Sequence, residues 1–249
     1  VDVFCFGFQK NPLPLFVCGE ERFLLFPYNM NPDMIFLQQG AKLLGLELTD
    51  RQIDQFDLYR QELLKWNART NLISKSTERQ IAARHFLDSL TAARFIRPDN
   101  ARLVDIGSGA GFPGLPLKIA LPSIQLCLLE SNRKKVSFLK YIERLLNLDG
   151  VVTLQDRTEN IVRKDQWREK FDVVISRASL KLPDLVLLGQ YFLVTGGLLI
   201  TLKGPAASLE LEAALSGENS TKLYQLYQED INLPFLGPPR KIIVLQKAK

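Results

Sequence analysis

Residues 104–114 read Val104-Asp105-Ile106-Gly107-Ser108-Gly109-Ala110-Gly111-Phe112-Pro113-Gly114. An apolar strand runs into glycines at the alternate positions 107, 109 and 111, then into a helix start marked by prolines. Glycines there let the chain turn tightly and let a ligand approach the main chain with no Cβ in the way. Downstream, apolar runs recur at Leu126–Leu129, Val151–Leu154, Val173–Ile175, Leu198–Leu202 and Ile242–Leu245. Helical patterns fall between most of them, for example Lys134–Leu146 and Pro183–Leu193. Strand and helix in turn predict an α/β fold with a mostly parallel sheet covered on both faces, its ligands at the carboxyl edge. Pro234, Gly237, Pro238 and Pro239 form a loop before the last run, and so short a connection predicts an antiparallel final strand at the end of the sheet.

Two cofactor classes use such a loop. Gly109-Ala110-Gly111-Phe112-Pro113-Gly114 satisfies the dinucleotide fingerprint, and Glu130, 19 residues beyond Gly111, suits an acid on ribose hydroxyls. That role is shared by NAD and S-adenosylmethionine, since a carboxylate accepts from both hydroxyls of a ribose. Asp105 separates them. A pyrophosphate is repelled by an ionised Asp at the strand tip, whereas an ammonium and a sulfonium are attracted. The loop therefore favours a methyl donor over NAD.

Working outward, Thr49 and Gln52 make a capping-box start, followed by Ile53, Phe56, Tyr59, Leu63 and Trp66 at helical spacing. A second amphipathic stretch, Ile81–Phe95, ends before Pro98. Trp66 reads as core rather than as a base-stacking platform. Asn67 and Asn71 are placed to organise the turn after that helix. The segment before Thr49 carries 3 basic and 5 acidic residues within a chain of 249 residues whose formal charge is +5, so the excess of cations lies downstream. Basic side chains recur at Arg60, Lys65, Arg69, Lys75, Arg79 and Arg84, at Arg133, Lys134, Lys135 and Lys140, and at Arg240-Lys241. They suit a polyanion partner, although charge runs also serve as plain solvated faces.

Other classes are excluded. With 46% hydrophobic and 24% charged residues the chain buries a proper core, so it is neither disordered nor stapled by disulfides. Cys5, Cys18 and Cys127 form no metal-ligand pattern and predict a reducing, cytoplasmic setting. The uncharged run Leu185–Leu202 carries Gly189, Gly196 and Gly197, and reads as a helix end, a turn and a buried strand rather than a membrane span. Residues 1–30 form an irregular extension. Glu20, Glu21 and Arg22 interrupt any signal-peptide core, and the absence of serine before Thr49 argues against a transit peptide. Met30 or Met34 is a candidate alternative start.

Further motifs are Lys65-Trp66-Asn67 with Asn71-Leu72, Arg84-His85-Phe86-Leu87-Asp88-Ser89-Leu90, Phe171-Asp172-Val173-Val174-Ile175-Ser176-Arg177-Ala178, and Lys203-Gly204. With the Phe112-Pro113-Gly114 continuation, they make the chain, from about Leu43 to Lys247, resemble the small-subunit ribosomal RNA guanine-N7 methyltransferase G family, also called glucose-inhibited division protein B. The resemblance implies a Rossmann-like class I methyltransferase fold: a mostly parallel seven-stranded sheet, helices on both faces, and a helical N-terminal extension. On this reading residues 31–100 are a helical subdomain and 101–249 the S-adenosylmethionine-binding domain. The implied cofactor contacts are Gly107, Phe112, Thr158, Glu159 and Arg177, with Glu130 as the acid at the second strand. The implied substrate is 16S ribosomal RNA, within the small ribosomal subunit, with no DNA, membrane or metal.

The fourth-strand segment narrows the chemistry. It lacks the Asn/Asp-Pro-Pro-aromatic turn that serves exocyclic amino groups. Carbon methylation needs an activated thiol, and Cys127 lies in an apolar strand. Guanine N7 needs neither device, having a free lone pair and no proton to lose. Arg177 is the candidate catalytic positioning residue, its guanidinium pairing with guanine O6. His85, the lone histidine, reads as a hydrogen-bonding residue, and Lys203 as either a phosphate contact or a solvated lysine. Methylation of another substrate, an NAD-binding oxidoreductase and a non-enzymatic ribosome-binding module remain the alternatives at this stage.

Overall fold

A computed structural model describes residues 31–96, 100–177, 180–204, 207, 210–211, 214, 223–231 and 240–248. The extension 1–30 with Cys5 and Cys18, the Pro234–Pro239 loop and Ala178 lie outside the described residues.

Helix α1 (Pro32–Leu43) starts where the Asn31 side chain accepts from the Asp33 amide. Helix α2 (Asp50–Thr70) opens on the expected capping box, the Thr49 hydroxyl and the Gln52 side chain each satisfying the other's backbone amide. The same Gln52 reaches Ile119 O with its Nε2 at 2.7 Å, so the cap also ties α2 to the next helical layer. At the other end Asn71 takes φ 50°, and Asn67 accepts from the Ile73 amide while donating to Glu78, which builds the turn foreseen for this pair. A 3-10 turn, Lys75–Gln80, follows.

The stretch expected to be one amphipathic helix over 81–95 is broken. A π-turn (Ala82–Leu87) leads into a single α-turn, α3 (Asp88–Leu90), and then a 3-10 turn, Ala93–Phe95. The hydroxyls of Ser89 and Thr91 bond back to the carbonyls of His85 and Asp88, competing with the helical amides for those acceptors.

The sheet strands are β1 (Arg102–Ile106), β2 (Gln125–Glu130), β3 (Val151–Gln155), β4 (Phe171–Arg177), β5 (Leu193–Lys203), β6 (Leu223–Ile231) and β7 (Arg240–Lys247). Between them run α4 (Gly114–Ala120), α5 (Arg133–Leu145), α6 (Thr158–Ile161) and α7 (Leu182–Phe192). Seven strands lie in the order β3-β2-β1-β4-β5-β7-β6, with β1 to β5 parallel and β7 antiparallel to both its neighbours. The last strand is therefore antiparallel as expected but not at the end of the sheet. It is inserted between β5 and β6, and the edge is β6, which the apolar runs did not reveal: of its nine residues only Leu223 is buried.

Alternation along the strands divides the core. Val104 and Ile106 face one side with Cys127, Leu129, Val174, Leu185 and Phe192. Asp105, between them, points to the α4 side. Leu185–Leu202 is split between α7 and β5 at Phe192–Leu193, with a left-handed Gly196 inside β5, and no described helix is long and apolar enough to cross a membrane.

Candidate active site

The strand order reverses between β1 and β4, so their carboxyl ends splay into a crevice, the usual ligand position in such sheets. The glycine loop follows β1. Its first two amides, Gly107 N and Ser108 N, are spent on Leu129 O at 2.9 and 3.2 Å, which pins the loop to the end of β2. Gly107, Gly109 and Gly111 all have positive φ, at 71°, 61° and 99°. Gly111 also answers to packing, because a Cβ there would lie 2.7 Å from the Tyr59 hydroxyl. That hydroxyl donates to Ala110 O, so α2 clamps the loop from above.

Beside the loop lies a cavity of about 540 Å³. Four expected residues, Gly107, Glu130, Thr158 and Glu159, line it, together with Lys135, Asp156 and Arg157. Glu130 is nearly buried, its oxygens accepting from Gly109 N at 2.9 Å and Asn132 N at 2.8 Å. Asp156 was missed by sequence reasoning, although it directly precedes Arg157 and Thr158 after β3. Its carboxylate is held down at about 2, first by the Lys164 ammonium and then by the Asn160 amide. Three carboxylates and two cations line this cavity, and Asp156 is further paired with Lys164, so Glu130 and Glu159 are the carboxylates with no ion pair among the described residues.

Asp105 does not present its charge to the cavity as its strand-tip position suggested. It is fully buried, its Oδ2 accepts from Gly114 N at 2.9 Å, and desolvation pushes its carboxyl up to about 7. It fastens the loop to the start of α4, while Glu130 and Glu159 supply the negative field at the surface.

Phe112 and Arg177 do not line this cavity. They form a second cluster at the ends of the loop and of β4, with the Arg177 guanidinium 4.9 Å from the Phe112 ring centre. Arg177 Nη1 donates to Arg84 O at 3.1 Å and to Asp88 Oδ2 at 3.2 Å, and its Nη2 lies 3.0 Å from His85 Nδ1. His85 stacks on Phe112 at 4.8 Å and reaches Thr77 Oγ1 with Nε2 at 3.0 Å. Burial, then the neighbouring arginines, push the imidazole down to about 3, so it is neutral at pH 7: Nδ1 accepts from Arg177 and Nε2–H donates to Thr77.

Other expectations are corrected. Trp66 is half-buried rather than core, meeting Phe138 of α5 edge-on at 5.5 Å and Tyr141 in a tilted contact at 5.4 Å. Lys203 is neither solvated nor free for phosphate: it is buried and donates to Leu180 O at 2.8 Å and Glu210 at 2.6 Å. Cys127 is buried in β2 with its thiol pushed up to about 12 by desolvation, which removes it as a nucleophile.

A family profile described as rRNA small subunit methyltransferase G matches residues 52–238, which include the glycine loop, the acidic cavity and the Arg177 cluster. The chain belongs to the rRNA small subunit methyltransferase G family. Relatives named "Ribosomal RNA small subunit methyltransferase G" agree. One from Syntrophus aciditrophicus is 40% identical over 85% of this chain and 88% of its own. One from Roseiflexus castenholzii is 46% identical over 68% and 73%. Among solved structures, a predicted O-methyltransferase from Agrobacterium tumefaciens superposes with TM-score 0.55 at 22% identity, covering 65% of this chain and 81% of that one. TYW2 of Pyrococcus horikoshii in complex with MeSAdo gives 0.51 at 12%, covering 66% and 62%. Likeness at that identity establishes the fold alone: this methyltransferase G chain has the class I methyltransferase architecture.

Proposed function

We propose that this enzyme transfers a methyl group from S-adenosylmethionine to N7 of a guanine in 16S ribosomal RNA, in the cytoplasm, with the small ribosomal subunit as its partner. The single observation that carries the reading is the pairing, across one glycine loop, of an acid-lined cavity with a rigidly held arginine.

The cavity suits the donor. Its volume lies within the range of cofactor sites, about 300–1,000 Å³. Glu130 has spent one lone pair of each oxygen on a backbone amide, and the remaining pairs can accept from ribose hydroxyls. The carboxylates of Glu130 and Glu159 favour a ligand carrying a sulfonium and an ammonium, and disfavour a pyrophosphate, which argues against NAD. When bound, S-adenosylmethionine supplies an electrophilic methyl group. Gly107, Glu130, Thr158 and Glu159 would hold it, with Phe112 and Arg177 closing the far end of the loop.

Among the described residues around Arg177, neither His85 nor Tyr59 offers a free base at neutral pH. His85 is neutral, but its Nδ1 lone pair is engaged by Arg177, and the Tyr59 hydroxyl is held well above its usual range by burial. Guanine N7 needs no base, so in-line positioning carries the reaction. Arg177 is suited to positioning: of its five N–H donors three are engaged, and Nε–H with one Nη2–H has no partner among the described residues. Those donors would receive guanine O6 and leave N7 open.

Incubating small subunits with methyl-labelled donor, followed by chain cleavage at 7-methylguanine, should give one protein-dependent cut in 16S ribosomal RNA. Label confined to protein or small molecules would overturn the reading. Arg177→Ala should lower turnover at least tenfold; wild-type turnover would remove the arginine from its role.

A further inference from the structure

Asp88 is 1% exposed and stands on α3, a single turn behind the glycine loop. Its Oδ2 accepts from Arg177 Nη1, while Oδ1 lies 3.5 Å from Arg240 Nε and has no hydrogen bond of its own. One buried carboxylate thus faces two guanidinium groups, one from the end of β4 and one from the start of β7. We propose that Asp88 is a positioning residue for methyl transfer: with His85 Nδ1 and Arg84 O, it fixes the plane of the Arg177 guanidinium against Phe112, so that the remaining donors meet the base in one orientation. The inference rests on the guanine-N7 reading of the site.

The geometry constrains a planar group fully. Phe112 sets the face of the guanidinium, and three acceptors from the short stretch 84–88 set its rotation in that plane. No Arg177 donor is a buried orphan among the described residues: the side chain is 16% exposed, and the two donors left over by its three acceptors are on its accessible part, where a base can reach them. Burial works against the Arg177 charge, and Asp88 is the leading influence that restores it. The hub also explains why the helical stretch before β1 belongs to the catalytic unit: it delivers Arg84, His85 and Asp88 to a residue on β4.

A double-mutant cycle tests this. Asp88→Asn should lower kcat on small subunits at least tenfold and leave affinity for S-adenosylhomocysteine within twofold of wild type. In an Arg177→Ala background the same change should alter kcat less than twofold. Equal losses in both backgrounds, or a loss that follows Tm alone, would overturn the proposal. Should Asp88→Asn not fold, His85→Phe, which keeps the stack on Phe112 but removes the acceptor, must show the same coupling. Nitrogen-15 NMR of the arginine side chains gives a readout without turnover. The Arg177 Nη resonances should show hindered rotation in wild type and averaging in Asp88→Asn; free rotation in wild type sinks the hub. If wild type methylates no ribosomal RNA while that signature holds, the functional reading fails and the positioning geometry stands.

Discussion

Asp105 and His85 are both buried near the carboxyl edge of the sheet, and they titrate in opposite senses. Desolvation raises Asp105 to about 7, so between its ordinary value of about 4 and 7 only the folded chain keeps the proton. Stability from this group falls as pH rises through that window, at most by about 1.4 kcal/mol per pH unit. His85 is pushed down to about 3 by burial, so between about 3 and 6.5 only the unfolded chain binds the proton. Its contribution is present above about 6.5 and is lost as pH falls. From about pH 4 to 6.5 the two slopes oppose one another, and the wild type should show a nearly flat stability profile from this pair. Urea unfolding between pH 4.5 and 8 separates them. Asp105→Asn should gain relative to wild type as pH rises, and His85→Phe as pH falls. Differences independent of pH would show that neither group carries its proton as described. Asp105 was legible in the sequence as a functional carboxylate, but its role was not, because spacing cannot reveal that Gly114 N would cap it in a dry layer.

At the scale of elements the glycine loop behaves as a part clamped from outside. Gly111→Ala would place a Cβ against Leu115 and the Tyr59 hydroxyl and force an L residue to φ 99°. Strain and overpacking together should cost about 2–4 kcal/mol. Donor affinity should fall with it, since the loop wall moves. Gly204→Ala, where a Cβ meets nothing within 4 Å, should stay within about 0.5 kcal/mol in the same thermal melt. Equal effects at the two positions would refute the packing argument. The start of helix α2 was readable from its capping box, and its body from its periodicity, while its last turn runs through Asn67 to Thr70. The edge strand β6 was not, since a strand with one buried residue carries no apolar run, and neither was the π-turn at Ala82–Leu87, since its buried residues follow the same apolar pattern as an α-helix.

For the whole molecule, the question is where a polyanion would lie. Arg60 and Lys65 are paired with Asp57 and Glu62 within α2, and Lys241 is buried against Asp230. Arg69, Lys75, Arg79, Arg133, Lys134 and Lys140 are exposed and make no ion pair among the described residues. Lys75 and Arg79 flank Thr77, the partner of His85, so this free set begins beside the Arg177 cluster. If about five phosphates are neutralised, substrate affinity should fall about 100-fold between 50 and 200 mM salt. The double change Lys75→Glu with Arg79→Glu should make that dependence shallower. Binding indifferent to salt would remove the phosphate-tracking surface. The basic runs were visible in the sequence, but which cations are free was decided by neighbours one helical turn away.

The sequence by itself determined the layered α/β architecture and the loop at its ligand edge, because hydrophobic period and glycine spacing are local properties that survive without coordinates, and its motifs from Lys65-Trp66-Asn67 to Ser176-Arg177-Ala178 carried the resemblance to the family. Only the tertiary structure decided that β7 enters between β5 and β6, that Asp105 is sealed beneath the loop, and that Arg177 is gripped by residues 84–88. Those outcomes depend on burial and on partners some 90 positions apart in the chain, the separation of Asp88 and Arg177 being 89. Charge state and hydrogen-bond direction follow from such encounters, and no local pattern encodes them.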